Sequence, residues 1–301
     1  MRSIYVVVFC TMVLTGQVLA ADKGSGNGCD KIIFGPQGYI KALQMSSKLS
    51  DYLEKKHLSD GTSVVLLGRA GSNSPSTRFT SKVSQYWSYT HAGLAYREHP
   101  FGQWTVVHLL NDCGQKSSIY QESLSKFFLD DPYEYKVVVA IPDPALQAGL
   151  HDLIVNKNLA TALFNNSTYS SVSNPFNTQR QNSNEYILDT LTAAMAHMAG
   201  NRTVFTREQA KDYLHSSGLV KKVSPERVKV KGIESLGLAL GFGPENATLD
   251  DHPRSERRDG AVSMVSVGTL ITFLQDTAHL LSTTELALQD RSKASDTTYQ
   301  Q

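Results

Sequence analysis

Cysteine, net charge and long apolar runs are all scarce in this sequence. Only 3 cysteines occur in 301 residues, which excludes the disulfide-dense scaffolds of small secreted domains. The formal net charge is +1 at pH 7, and no cluster of Lys and Arg stands out. Nucleic acid is therefore disfavoured as a partner, because phosphate binding leaves a basic footprint. Beyond the N-terminus no run of about 18 apolar residues occurs, so we predict no membrane span in the mature chain.

The N-terminus has the pattern of a secretory signal peptide. Arg2 precedes an apolar run over residues 4–14, and Val18-Leu19-Ala20 supplies a small residue before the predicted cleavage point. The run is too short for a stable bilayer anchor. We therefore expect residues 1–20 to be removed and the mature protein to be periplasmic or secreted.

Two cysteines, Cys29 and Cys113, remain after the predicted signal peptide. In an oxidising compartment such a pair favours one disulfide bond. The alternative is two unpaired buried thiols. We predict the disulfide, which would tie the N-terminal segment to the end of a predicted strand.

Apolar periodicity predicts both helices and strands. A helical spacing of apolar residues covers 36–57 and ends at Asp60-Gly61. Apolar and β-branched runs predict strands at 62–67, 89–97, 103–110 and 135–141. Short connections such as EHPFG join neighbouring strands, so we expect an antiparallel sheet with helices packed on one side, which is an α+β fold.

Composition divides the chain into five parts. The signal peptide is followed by an N-terminal extension with one helix, a core, a C-terminal helical or mixed extension that includes a strand and a helix within 261–276, and a disordered tail. Their predicted boundaries are 1–20, 21–60, 61–200, 201–290 and 291–301.

The stretch QRQNSNEYILDTL, residues 179–191, runs from a polar loop into a predicted helix. Ile187, Leu188 and Leu191 begin an apolar stripe at helical spacing. Ser183 stands at the helix start, where free N–H groups and partial positive charge favour the thiolate of a cysteine nucleophile, but the residue here is serine. Asn182, with Glu185 three residues later, also has the pattern of a helix cap. The sequence leaves both interpretations of Ser183 open.

The order of these segments resembles a known superfamily. SYTHAGLAYR, then WTVVHLLNDCG, then a strand and a helix, and finally YSSVSNPFNTQRQNSNEYILDTL are similar to the circularly permuted branch of the NlpC-like, papain-like proteins. The resemblance covers roughly residues 60 to 200 and rests on order and context. More narrowly, the chain looks like an uncharacterised family of exported bacterial proteins. The resemblance implies a papain-like core in which the histidine strand precedes the nucleophile helix.

The resemblance also implies roles for individual residues. Ser183 takes the place of the nucleophile, which is usually cysteine in that superfamily. His91 takes the place of the general base, and His108 on the next strand that of the residue that orients it, with Asn111 as a second choice. Tyr169 is the implied oxyanion donor, and Asn182 is a further candidate for oxyanion or substrate binding.

Structural interpretations compete with these roles. A histidine in an apolar strand is commonly a hydrogen-bonded core residue, and His108 shares a strand face with Trp104 and Val106. Both histidines are expected to lie on adjacent antiparallel strands with their side chains toward the helix that starts near Asn184. The segment Asp250-Asp251-His252-Pro253 contains metal-ligand residue types, but without a second ligand pair a surface turn is favoured. We predict no metal site and no cofactor.

Two functions are consistent with the sequence. One is a weak hydrolase or acyltransferase that acts on amide or ester bonds of cell-envelope peptides or acyl substrates through Ser183, His91 and His108. The other is an envelope binding or scaffold protein that has kept the cleft without catalysis. A hydroxyl, unlike a thiol, needs a base to remove its proton during attack. The distance from Ser183 to His91 therefore discriminates between them.

Overall fold

The computed structural model describes residues 35–70, 86, 88–99, 102–113, 115–129, 134–156, 168–229 and 247–288. The predicted signal peptide, Cys29, residues 71–85 and the predicted tail lie outside the described residues, as does the side chain of Cys113. The disulfide therefore stays a prediction.

Eight strands and seven α-helices make up the described part of the chain. The strands are β1 (Val64–Arg69), β2 (His91–Tyr96), β3 (Thr105–Cys113), β4 (Lys116–Ser123), β5 (Lys136–Pro142), β6 (Glu226–Lys229), β7 (Ala261–Met264) and β8 (Leu280–Ala287). The helices are α1 (Pro36–Asp60), α2 (Leu124–Leu129), α3 (Pro144–His151), α4 (Ser183–Met198), α5 (Arg207–Ser216), α6 (Arg254–Asp259) and α7 (Val267–Asp276). A π-helical turn, Asp152–Asn156, continues α3, and a 3₁₀ turn spans Leu219–Lys222.

Six of the strands form one antiparallel sheet in the order β4-β3-β2-β1-β5-β8. The predicted α+β class and the antiparallel sheet are confirmed. β6 and β7 pair separately. The four predicted strands correspond to β1, β2, β3 and β5, and the predicted strand and helix in 261–276 correspond to β7 and α7.

The helices cover both faces of the sheet, so the prediction that they pack on one side is wrong. Alternate residues of β1 enter two separate cores. Val64 and Leu66 join the side chains of α3, α4 and α7, whereas Val65 and Leu67 join those of α1 and α2. Every residue of β1 is buried, and a continuous apolar run is typical of a strand covered on both faces. Burial of each such side chain contributes about 1.5–3 kcal/mol.

The two edge strands of this sheet, β4 and β8, are not predicted from the sequence because they are polar. β8 alternates between half-buried and exposed residues along its whole length, and β4 carries mostly polar side chains. Two residues separate β3 from β4, a spacing typical of a β-hairpin. β8 also shows that residues beyond 200 contribute to the main sheet, and α7 packs in the same core as α4.

Helix α4 is buried along almost its whole length. Its residues from Ser183 to His197 are all buried, although its sequence predicts only one apolar stripe. Leu191 and its neighbours in the stripe pack on the sheet, while the polar side chains Glu185 and Asp189 are buried against α5. No helix in the described ranges has the length and apolar content needed to cross a bilayer.

Candidate active site

His91 and His108 lie on adjacent antiparallel strands and are in direct contact. The register pairs Leu94 with Val107 and Ala95 with Val106, which places residues 91 and 108 on the same face. His91 Nε2 is 2.8 Å from His108 Nδ1. The predicted pairing of the two histidines is confirmed.

The direction in which these side chains point differs from the prediction. Both rings pack against Phe127 of α2, with centroid distances of 5.9 Å for His91 and 5.3 Å for His108. Gly93 permits this packing, since an added Cβ would lie 2.6 Å from Val106 Cγ1 and 3.3 Å from Phe127 Cε2. The body of α4 packs on the opposite face of the sheet, so the prediction that both imidazoles point toward this helix is wrong.

Asn184 connects the start of α4 to the strand that carries His91. Its Oδ1 accepts a hydrogen bond from the N–H of Ala92 at 2.9 Å, and its Nδ2 donates to the carbonyls of Thr90 at 3.2 Å and Val265 at 3.3 Å. The Ala92 N–H is free for this bond because the β2–β3 ladder ends at Leu94. The asparagine thus binds both residues that flank His91, and Ser183 is its neighbour in the chain.

Ser183 occupies the first turn of α4 and is 6% exposed. Its hydroxyl is hydrogen-bonded to the phenol of Tyr169. Burial raises the pKa of Tyr169, and the bond to Ser183 offsets this only in part, so the phenol keeps its proton at neutral pH. Among the described residues no hydrogen bond joins Ser183 to His91.

Asn182 is the N-cap of α4, as predicted, because its Oδ1 accepts from the N–H of Glu185 at 2.8 Å. The carboxylate of Glu185 does not return to the cap and instead binds Ser173 and Arg207. Within the described residues the Nδ2 of Asn182 is buried and makes no hydrogen bond. Asn111, the second choice for orienting His91, donates to the carbonyl of Lys116 at 2.7 Å, whereas the imidazole of His91 is hydrogen-bonded to His108.

Glu122 on β4 is a site residue that sequence reasoning missed. Its Oε2 is 3.2 Å from His108 Nε2, and its side chain is 11% exposed, whereas that of His108 is fully buried. A chain of hydrogen-bonding groups therefore runs from His91 through His108 to a carboxylate. The two-residue separation of β3 from β4 was the available signal, since a hairpin would have placed Glu122 beside Val106 and near His108.

His91 is held in its neutral form. Burial lowers its pKa well below the ordinary value of 6.5, and the Arg69 guanidinium and His108 lower it further. Arg69 is buried on the same face, where its guanidinium lies 5.0 Å from the Phe127 ring centroid. A neutral imidazole can accept a proton from a hydroxyl, whereas an imidazolium is suited to a thiolate. The surroundings of His91 therefore fit the serine at position 183.

The low pKa of His91 predicts acid destabilisation. Near pH 6.5 the unfolded chain gains a proton at this residue while the folded chain does not, so stability is complete above that pH and falls below it. Between pH 7.5 and pH 5.5 we expect His91→Gln to lose about 1 kcal/mol less stability than wild type in urea unfolding. His215→Gln, at an exposed histidine, is the control. Equal pH dependence in wild type and His91→Gln would contradict the prediction.

Four buried charged side chains join the first turns of α4 to α5. Arg207 binds Glu185 at 2.5 Å and Asp189 at 2.9 Å, and Lys211 binds the same two carboxylates at 2.9 and 2.8 Å. Arg207 also donates to the backbone carbonyls of the loop that leads into the helix, those of residues 177, 178 and 180. We call these four residues the buried charge cluster. It joins α4, α5 and the loop before Ser183.

The segment Asp250-Asp251-His252-Pro253 supports the same loop, so the expected surface turn is wrong for its two central residues. Asp251 and His252 are buried. His252 Nε2 lies 2.6 Å from the carbonyl of Val172, and Asp251 Oδ2 accepts from the N–H of Asn174 at 2.7 Å. Asp250 pairs with the guanidinium of Arg180. The polarity of this segment reflects its hydrogen bonds to another loop, which sequence spacing does not reveal.

Comparison with known protein families matches residues 57–274 to DUF2145, described as an uncharacterized protein conserved in bacteria. The chain belongs to the DUF2145 family. The match runs from the end of α1 through most of α7 and includes His91, His108, Glu122 and Ser183, so the candidate site lies wholly inside the DUF2145 region. Neither the curated proteins nor the solved structures gave a match.

Proposed function

We propose that this DUF2145 protein is an amide or ester hydrolase, or an acyltransferase, with Ser183 as nucleophile and His91 as general base. The observation that carries the proposal is the Asn184 side chain. Its amide binds the backbone on both sides of His91 while its own backbone adjoins Ser183. It thereby ties the strand that carries His91 to the N-terminus of the 16-residue helix that Ser183 begins.

The proposed chemistry uses four side chains. Ser183 Oγ would attack the carbonyl carbon of the substrate while His91 takes the hydroxyl proton. The resulting oxyanion would receive hydrogen bonds from the Tyr169 phenol or the Asn182 amide, assisted by the helix N-terminus. When the bond to the leaving group breaks, His91 returns the proton to that group and an acyl-serine remains. Water or an acceptor alcohol or amine then takes up the acyl group.

The fold context supports the same proposal. A helix that begins at the nucleophile, with a base and an orienting histidine on neighbouring strands, is the arrangement that the resemblance to permuted papain-like proteins implies. The predicted signal peptide would place the reaction in the periplasm or outside the cell. Substrates would then be peptides, amides or acyl groups of the envelope.

A second candidate function is binding without catalysis. It is favoured by the hydroxyl of Ser183, which is hydrogen-bonded to Tyr169 and not to His91. In that case Ser183 would be a buried polar residue of the helix start. The cleft would retain an envelope ligand without cleaving it.

Covalent labelling distinguishes the two functions. A fluorophosphonate forms a bond from serine Oγ to phosphorus and releases fluoride, provided that a base takes up the hydroxyl proton. We expect mapping by mass spectrometry to find the label on Ser183 in the mature protein. Ser183→Ala should abolish labelling, and His91→Gln should slow it by about 10²–10⁴-fold, the usual contribution of a general base.

The matched control is Ser59→Ala, at an exposed serine, which should label like wild type. Labelling that survives in Ser183→Ala, or wild type that never labels, would rule out the catalytic proposal. The non-catalytic candidate would then stand.

A further inference from the structure

We infer that Glu122 fixes the tautomer of His91, acting through His108, so that the free lone pair of His91 lies on Nδ1. Glu122 is thus a positioning residue two groups away from the proposed nucleophile. Its relevance to catalysis rests on the proposed function. The tautomer itself does not, because it follows from the hydrogen bonds among three side chains.

The argument starts at the carboxylate, which can only accept hydrogen bonds. His108 Nε2, 3.2 Å from Glu122 Oε2, must therefore carry the proton. A neutral imidazole has a single N–H, so Nδ1 of His108 is an acceptor. His91 Nε2 lies 2.8 Å from that nitrogen and must be the donor. By the same rule, Nδ1 of His91 is then unprotonated.

Neutrality of both rings is the condition for this assignment, and their surroundings support it. His108 is fully buried and His91 is 5% exposed. The guanidinium of Arg69 and both imidazoles contact the same Phe127 ring. A protonated imidazole there would be repelled by the positive charge of the guanidinium. A protonated His91 would be a buried charge without a carboxylate partner, which is costly. The Glu122 carboxylate, at the outer end of this chain of hydrogen bonds, stabilises one N–H orientation of His108. Neither imidazole has to be charged for this.

The consequence concerns which nitrogen can act as a base. With Nε2–H directed at His108, the lone pair on Nδ1 remains available for the proton of Ser183. When His91 becomes protonated during attack, its Nε2–H still has an acceptor, and His108 in turn has Glu122. Without the carboxylate, the N–H orientations of both rings could reverse. A fraction of the molecules would then carry an N–H at Nδ1 of His91, where the lone pair is needed.

The test is nitrogen NMR of the folded protein labelled with ¹⁵N-histidine at about pH 7.5. In wild type we expect His91 as one tautomer, with an unprotonated Nδ1 and a protonated Nε2. In Glu122→Gln the same tautomer should persist, because the carboxamide oxygen still accepts. In Glu122→Leu the acceptor is lost, and both tautomers of His91 should become detectable. Glu134→Leu, at an exposed carboxylate that pairs with Lys136, is the control and should match wild type.

A protonated Nδ1 on His91 in wild type would overturn the inference, and this measurement does not depend on any variant folding. So would a Glu122→Leu protein that folds and keeps the single wild-type tautomer. The labelling experiment tests the proposed function separately from the tautomer. If Ser183 never reacts with a fluorophosphonate while the tautomers behave as stated, the proposed function is wrong and the role of Glu122 stands.

Discussion

Replacing Arg207 with methionine should lower the free energy of unfolding by about 3–5 kcal/mol, the cost of breaking a buried ion pair by removing one partner. Methionine retains much of the length of arginine but none of its charge. Glu185 and Asp189 would remain buried with Lys211 as their one cation in the buried charge cluster. The carbonyls of residues 177, 178 and 180 would also lose their donor.

Urea unfolding of three variants separates charge from packing. Arg202→Met changes an exposed arginine and should stay within about 0.5 kcal/mol of wild type. Adding Glu185→Gln to Arg207→Met should recover part of the loss, because one of the two uncompensated carboxylates disappears. A cost below about 1 kcal/mol for Arg207→Met would show that the cluster is not what holds α4, α5 and the loop together.

Replacing Asn184 with leucine should cost about 3 kcal/mol or more, because three backbone groups lose their partner at once. Each buried polar group left unsatisfied costs about 1–3 kcal/mol. The groups are the N–H of Ala92 and the carbonyls of Thr90 and Val265. Leucine has a similar size, so the loss would come from hydrogen bonds and not from a cavity.

Asn184→Asp refines this prediction. The carboxylate still accepts from Ala92 but faces two carbonyls that it cannot satisfy, so its cost should approach that of leucine at neutral pH and shrink when the carboxyl is protonated. Unfolding curves at about pH 7.5 and pH 4 measure this. If Asn184→Leu unfolds like wild type, the connection between α4 and β2 does not depend on the asparagine, and the observation that carries the proposed function is lost.

The candidate site could be predicted in part. The sequence predicts that His91 and His108 lie together, because two apolar strands with a short connection form a hairpin whose register follows from a period of two. The start of α4 followed from Asn182, a cap residue directly before a helical stripe. Glu122 was not predicted because β4 is a polar edge strand without an apolar pattern.

The sequence by itself determined the α+β class, four strands of the sheet, the start of α4 and the pairing of the two histidines. Each of these depends on apolar periodicity or on residues close in the chain. Only the tertiary structure decided that helices cover both faces, that Asn184 binds the backbone around His91, and that Arg207 and Lys211 neutralise Glu185 and Asp189. Asn184 and Ala92 are 92 residues apart. Periodicity shows which face of an element is buried, but it carries no information about which distant polar groups meet there, because that depends on how the packed elements are oriented in space.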